Sequence, residues 1–294
     1  MRVLVTGYNG QLGWDVVQQL EKRDIECRGV DLQDFDLLDG PAVKAYVQEY
    51  RPDVIVHCAA YTAVDKAESE PQVCAAVNGN GTMNVVRAAL SVGAKLVYIS
   101  TDYVFSGKGE EPWKTDDPYD PQNVYGLSKV QGETAVRSLM KRYFLLRISW
   151  LYGLHGNNFV RTMRRLGKTR SEVRVVNDQI GSPTFSEDVA RVICDLIPTE
   201  KFGIYHVTNE GYMSWADFAR MIMEGSGIDC RVLPVPSSEY PTPARRPKNS
   251  RMSPESLKAA GISPMPTVED ALERFLKKLA QEEFTAREAG QSLA

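Results

Sequence analysis

Little in this sequence points to zinc, thiol-redox or membrane chemistry. Its five cysteines, Cys27, Cys58, Cys74, Cys194 and Cys230, are odd in number, far apart and free of any CxxC spacing. That excludes a zinc ribbon, a redox dithiol and a disulfide framework, and the thiols read as reduced cytosolic core residues. Long apolar runs are missing too, since none approaches the roughly 20 residues that cross a bilayer. A basic excess is absent: the formal net charge of -3 offers no footprint for nucleic acid or an anionic lipid surface. Internal repeats and low-complexity tracts are lacking. Met1-Arg2 runs straight into the apolar Val3-Leu4-Val5, without the basic and apolar regions of a signal peptide. A soluble, cytoplasmic protein with a small-molecule partner, and neither a nucleic-acid nor a membrane partner, is the expectation.

What is present is enough apolar material for a large core. With 294 residues, 43% of them hydrophobic, the chain can build one core or a core plus a smaller lobe. Short β-branched runs at residues 3–6, 26–30, 54–58, 95–100 and 144–148 alternate with amphipathic stretches. That alternation predicts an α/β fold, a doubly wound parallel sheet of Rossmann type with helices on both faces. Apolar spacing of three and four predicts helices over residues 12–22, 73–91 and 124–142. The texture changes after Trp150. Residues 152–175, rich in Gly, Asn and Arg, and residues 234–254, rich in Pro and Ser, read as irregular binding loops of a smaller C-terminal substrate lobe. The expected division is a dinucleotide-binding domain over residues 1–149, joined by about 175–200, a substrate lobe over 150–280, and a polar, frayed tail over 281–294. A helix over residues 188–197 would return to the first domain and interleave the two.

The first strand leads directly into Gly7-Tyr8-Asn9-Gly10-Gln11-Leu12-Gly13 and a helix. Glycines there permit a tight turn and close backbone approach, so a pyrophosphate can sit on free N–H groups at the positive end of the helix. Asp31, at the end of the second strand, can accept hydrogen bonds from the adenosine ribose hydroxyls. Its charge favours NADH, whereas Arg28, if turned towards it, would offset the repulsion of a 2'-phosphate. NADH and NADPH both stay open. Asp36 and Leu37 stand where they can flank the adenine, or form a polar turn with one buried leucine.

Tyr125 and Lys129, four residues apart, share one face of a predicted helix. A neighbouring ammonium stabilises phenolate, which would lower the tyrosine pKa and let it pass a proton near neutral pH. Ser100-Thr101-Asp102-Tyr103-Val104-Phe105 follows the strand ending at Ile99, so Thr101 can present a hydroxyl at a strand's carboxyl end, where sites of such sheets form. Thr, Tyr and Lys together make a carbonyl-reducing set.

The glycine turn, this hydroxyl and the Tyr125/Lys129 pair resemble the extended branch of the short-chain dehydrogenase/reductases. The runs Ala59-Ala60-Tyr61-Thr62-Ala63-Val64-Asp65, Ser149-Trp150-Leu151-Tyr152, Asn157-Asn158-Phe159, Asp178-Gln179-Ile180-Gly181-Ser182-Pro183-Thr184 and Arg245-Arg246-Pro247-Lys248-Asn249-Ser250-Arg251 narrow the resemblance to the dTDP-4-dehydrorhamnose reductases. The resemblance covers roughly residues 1–255. It implies hydride transfer from NADPH or NADH to C4 of a dTDP-linked 4-keto-6-deoxyhexose, a nucleotide-sugar substrate. Tyr125 would be the proton donor, Thr101 a hydrogen bond to the same oxygen, and Lys129 the hold on the nicotinamide ribose. Gly7, Gly10, Gln11, Leu12 and Gly13 would border the pyrophosphate, Asp31 the ribose, Asp36 and Leu37 the adenine, and Ala60, Tyr61, Thr62 and Ile99 the rest of the cofactor. Thr62, Val64, Asp102 and Trp150 would touch the sugar, with a core tryptophan as the alternative for Trp150. Arg246 and Arg251 would meet the substrate diphosphate, for which a guanidinium fork is well shaped. The Arg-rich stretch over 164–174 reads as a solvated face. Family dimers can be joined through acids and magnesium; Asp15, Glu187 and Asp188 are partial equivalents, so no catalytic metal is expected and monomer or homodimer stays open. Two rival readings remain, a reductase or epimerase of another nucleotide sugar, and a non-catalytic regulatory subunit on the same fold.

Overall fold

A computed structural model of the protein describes residues 1–288. The first half runs β1 (Arg2–Thr6), α1 (Gln11–Lys22), β2 (Glu26–Val30), α2 (Gly40–Tyr50), β3 (Val54–His57), α3 (Val64–Ala67), α4 (Pro71–Ala75), a π-helical turn (Ala76–Gly81), α5 (Thr82–Val92), β4 (Lys95–Thr101), α6 (Val124–Leu139) and β5 (Tyr143–Ile148). The second half adds β6 (Leu151–Tyr152), α7 (Phe159–Gly167), β7 (Glu172–Val176), β8 (Ile180–Gly181), β9 (Thr184–Phe185), α8 (Ser186–Leu196), β10 (Gly203–His206), β11 (Met213–Ser214), α9 (Trp215–Gly225), β12 (Arg231–Val235), β13 (Asn249–Ser250), α10 (Glu255–Ala259) and α11 (Val268–Glu288).

Six strands form one sheet in the order β10-β5-β4-β3-β1-β2, and every neighbouring pair is parallel. The period-two alternation sends Val3, Val5, Val54, Val56, Val97 and Ile99 to one face, where they bury against Val16 and Leu20 of α1 and Val189, Val192 and Ile193 of α8. Leu4, Ile55, Leu96 and Tyr98 turn to the other face, under Val43 and Val47 of α2, Val85 and Ala89 of α5 and Val136 of α6. This is the expected doubly wound sheet, and α8 does return to pack on α1. Strand order reverses between β1 and β3, so the crevice at their carboxyl ends is the switch point where ligands of such sheets bind.

Several expectations change. The helix over 124–142 stops at Leu139, because Met140 is extended and β5 already starts at Tyr143. Residues 152–175 are not an irregular loop. Asn158 caps α7 by accepting from Arg161 N, and Val160 and Met163 bury in a second core with Phe218, Ile222, Leu272 and Phe275 of α9 and α11. The arginines of α7 are not simply solvated: Arg161 meets Glu282 at 3.2 Å, and Arg164, half-buried, meets Glu283 at 2.7 Å on α11. Residues 281–288 of the expected tail continue α11, while 289–294 lie outside the described residues. No helix of the described residues is long and apolar enough to cross a membrane.

Candidate active site

A cavity of about 870 Å³ opens at the carboxyl ends of β1, β3, β4 and β5. The turn after β1 forms its floor. Gly7 has φ +73, and a Cβ there would lie 2.5 Å from Ala59 N; a Cβ at Gly13 would collide with the Gly7 carbonyl oxygen. Glycine is therefore what lets α1 begin directly on the turn. α1 starts at Gln11 with no side-chain cap, and Gly10, Gln11, Leu12 and Gly13 face the cavity. Uncapped N–H groups at a positive helix end suit a diphosphate, so these residues fit a dinucleotide.

Asp31 ends β2 at the cavity rim, its carboxylate accepting from Asn9 N at 2.9 Å and Leu32 N at 2.8 Å. Asp36, Leu37, Ala60, Tyr61, Thr62, Val64 and Ile99 also line the cavity. Arg28 does not turn towards Asp31; its guanidinium lies 4.5 Å from the Tyr50 ring centre and bonds to Tyr46. Asn78 escaped the sequence reading. The π-helical turn aims its buried amide at Tyr61 N (2.8 Å), Tyr61 O (3.0 Å) and Ser128 Oγ (2.8 Å), pinning the loop after β3 to α6. Such turns in a helix often mark functional positions.

Thr101, Tyr125 and Lys129 share the same cavity wall. Thr101 ends β4, and its hydroxyl donates to Asp102 Oδ1 at 3.0 Å, while Asp102 Oδ2 accepts from Ser250. Asp102 thus holds Thr101 rather than standing free. Burial pushes its carboxyl up to about 6, against the two hydroxyl bonds that oppose the shift. Asn123 caps α6 by accepting from Gly126 N, which sets Tyr125 edge-on to Tyr103 with ring centres 5.6 Å apart. The expected lowering of the Tyr125 pKa is not what the geometry gives. Burial, then the Asp102 charge, push that phenol above its usual range, with Thr101 opposing. Lys129 lies 4.3 Å from the Tyr98 ring centre, and burial pulls its ammonium down to about 8.

Trp150 adopts φ +48, a left-handed conformation that is strained for a bulky side chain. Its indole stacks on Trp215, 3.7 Å between centroids at 11°, and both rings line the cavity. Trp215 escaped the sequence reading. Ser214 and Asp217 form a capping box that announces the start of α9, but nothing local foretells contact across 65 positions. Arg246 reaches the cavity, paired with Asp65 at 2.6 Å and Tyr103 Oη at 3.3 Å. Arg251 does not; it turns back to Asn249 Oδ1 at 3.0 Å. The three acids compared with a bridging site are each engaged, Asp15 by Ser186, Glu187 by Lys278 and Asp188 by Arg274 and Asn209.

A glycine cradle at the switch point facing a hydroxyl, a phenol and an ammonium defines a pyridine-dinucleotide oxidoreductase of the short-chain dehydrogenase/reductase class. Within that class the chain belongs to the family described as RmlD substrate binding domain, whose model matches residues 1–281. It is 42% identical over 263 residues to the spore coat polysaccharide biosynthesis protein SpsK of Bacillus subtilis, covering 90% of this chain and 93% of that protein. Two solved structures are also similar. A dTDP-4-dehydrorhamnose reductase from Clostridium acetobutylicum superposes with TM-score 0.93 at 41% identity, covering 95% of this chain and 100% of that one. One from Bacillus anthracis, in complex with NADP, superposes with TM-score 0.92 at 45% identity, covering 94% and 99%.

Proposed function

We propose that this protein reduces the C4 ketone of dTDP-4-dehydro-L-rhamnose to dTDP-L-rhamnose with NADPH or NADH. The observation that carries the reading is that Thr101, Tyr125 and Lys129 surround the cavity that the glycine turn opens. Relatives named dTDP-4-dehydrorhamnose reductase, one of them in complex with NADP, support the substrate and the cofactor. When bound, the reduced nicotinamide supplies the hydride. As negative charge grows on the ketone oxygen, the Tyr125 hydroxyl gives it a proton and the Thr101 hydroxyl turns its one proton from Asp102 to the same oxygen, stabilising the transition state more than the ketone. The buried phenol is fully protonated at neutral pH, so it has a proton to give, although burial makes it a weaker acid than a free tyrosine. Lys129 holds the nicotinamide ribose, Asp31 the adenosine ribose, and Gly10, Gln11 and Leu12 the pyrophosphate. Trp150 offers the deoxyhexose a flat apolar face, and Arg246 takes the substrate diphosphate. We further place the enzyme in the cytoplasm, as a monomer or homodimer, which fits five free cysteines.

Incubation with dTDP-4-dehydro-L-rhamnose should consume NADH or NADPH. Tyr125→Phe should lower kcat by about 10²- to 10⁴-fold, the usual size of a lost proton transfer, with cofactor Kd little changed. Demonstrated cofactor binding without oxidation of either cofactor would defeat this substrate assignment.

A further inference from the structure

Behind the cavity wall lies a buried ion pair that the reaction chemistry does not use. Glu133 on α6 and Arg147 on β5 have side-chain exposures of 0% and 1%. The guanidinium grips both carboxylate oxygens, Nε to Oε1 at 2.9 Å and Nη2 to Oε2 at 2.8 Å. Glu133 also accepts from the hydroxyls of Ser100 and Tyr119, each at 2.5 Å, and Arg147 donates to the Thr115 carbonyl at 3.0 Å. A buried ion pair adds little net stability over apolar residues of the same volume, because both charges lose hydration. Its consequence here is geometrical. Ser100 precedes Thr101, Glu133 stands one helical turn beyond Lys129 on the same face of α6, and Arg147 lies three residues before Trp150.

We propose that Glu133 is a positioning residue for the reaction: fixed by Arg147, it ties the Thr101 strand to the Tyr125–Lys129 helix and sets a negative charge one turn from the Lys129 ammonium. The proposal rests on the reductase reading above. Around that ammonium stand Tyr98 on β4, His57 and Cys58 at the end of β3, and Cys74 on α4. None of these is a carboxylate. Burial pulls Lys129 down to about 8, and Glu133 is the largest influence in the other direction. Without it the ammonium would surrender its proton at lower pH, and with the proton its hold on the ribose.

Glu133→Gln alone would strand the Arg147 guanidinium, so the informative variant is Glu133→Gln with Arg147→Met. Glutamine keeps partners for Ser100 and Tyr119 while the charges go. Binding of NADH or NADPH to the full chain, followed by protein fluorescence across pH, should weaken on the alkaline side, with a midpoint near the value of Lys129. In the double variant that limb should move to lower pH, with Tm close to wild type and affinity near pH 6 unchanged. Ser100→Ala, which removes one hydrogen bond and no charge, should lower kcat several-fold and leave the limb in place. A limb that survives in Lys129→Met, or stays put in the folded double variant, overturns the charge coupling; an unchanged kcat in Ser100→Ala overturns the tie to Thr101. Should the limb move while wild type oxidises no cofactor with the dTDP-sugar, the reductase reading fails and the coupling stands.

Discussion

If Asp31 holds the adenosine ribose as proposed, one side chain sets cofactor choice. Both of its oxygens are held by backbone N–H groups at the rim of the cavity, so the carboxylate is fixed where the adenosine ribose would sit. Arg28, the cation that could have neutralised it, is occupied by Tyr46 and Tyr50 of α2. The cations that line the cavity are engaged elsewhere, Lys129 over the Tyr98 ring and Arg246 with Asp65 and Tyr103. A 2'-phosphate would therefore meet a negative charge with no cation beside it among the described cavity residues. Asp31→Asn keeps the size and removes the charge, so the ratio of kcat/KM for NADPH to that for NADH should rise about tenfold, the equivalent of roughly one pKa unit of charge interaction. Steady-state kinetics with both cofactors measures this, and an unchanged ratio would show that Asp31 does not read the ribose. Asp31 itself was legible from its place after the second strand, whereas the direction of Arg28 was not, because it depends on aromatic partners contributed by α2.

Among the elements, legibility follows how local the cause is. The first five strands of the sheet and the glycine turn are written in adjacent residues, so the sequence located them and the cavity they enclose. β10 was missed because a four-residue strand acquires its identity by pairing with β5. α7 was missed because the arginines that made it look like a solvated loop find their acids on α11, more than 100 positions away. The Trp150–Trp215 stack is of the same kind. It depends on Gly181 in β8, where a Cβ would lie 2.9 Å from Trp150 Cε2 and from Ser250 Cβ. Gly181→Ala should therefore displace the indole and the β13 strand together. We expect substrate KM to rise about 5- to 150-fold, a misfit of about 1–3 kcal/mol being typical of such overpacking, with cofactor Kd within about twofold. Equal loss of affinity for both ligands would mean that the stack supports the whole cavity rather than its sugar end.

Across the whole molecule, stability and pH are coupled through groups that burial holds away from their usual charge. Asp15, on α1, accepts from Ser186 at the start of α8 and so lies in the seam between those two helices. Burial, with Glu187 adding to it, pushes its carboxyl from 3.8 up to about 6, against Ser186, Lys278 and Lys22. A carboxyl whose folded pKa is raised contributes stability that is fully present below the unfolded value and lost as pH rises through the folded one. Asp102 acts in the same direction over the same window. Lys129, depressed to about 8, contributes stability present above its unfolded value and lost as pH falls through 8. At neutral pH all three therefore weigh against the fold, and two of them line the cavity. Asp15 does not line it, which makes it the group whose strain can be removed without touching the chemistry. Asp15→Asn is neutral at every pH and can still accept from Ser186 through its amide oxygen. Urea unfolding should find the variant equal to wild type near pH 3, below the unfolded value of 3.8, and more stable near pH 7.5, by at most about 3 kcal/mol for a shift of that size, with kcat retained. A stability difference that is the same at both pH values would mean that Asp15 does not titrate between them.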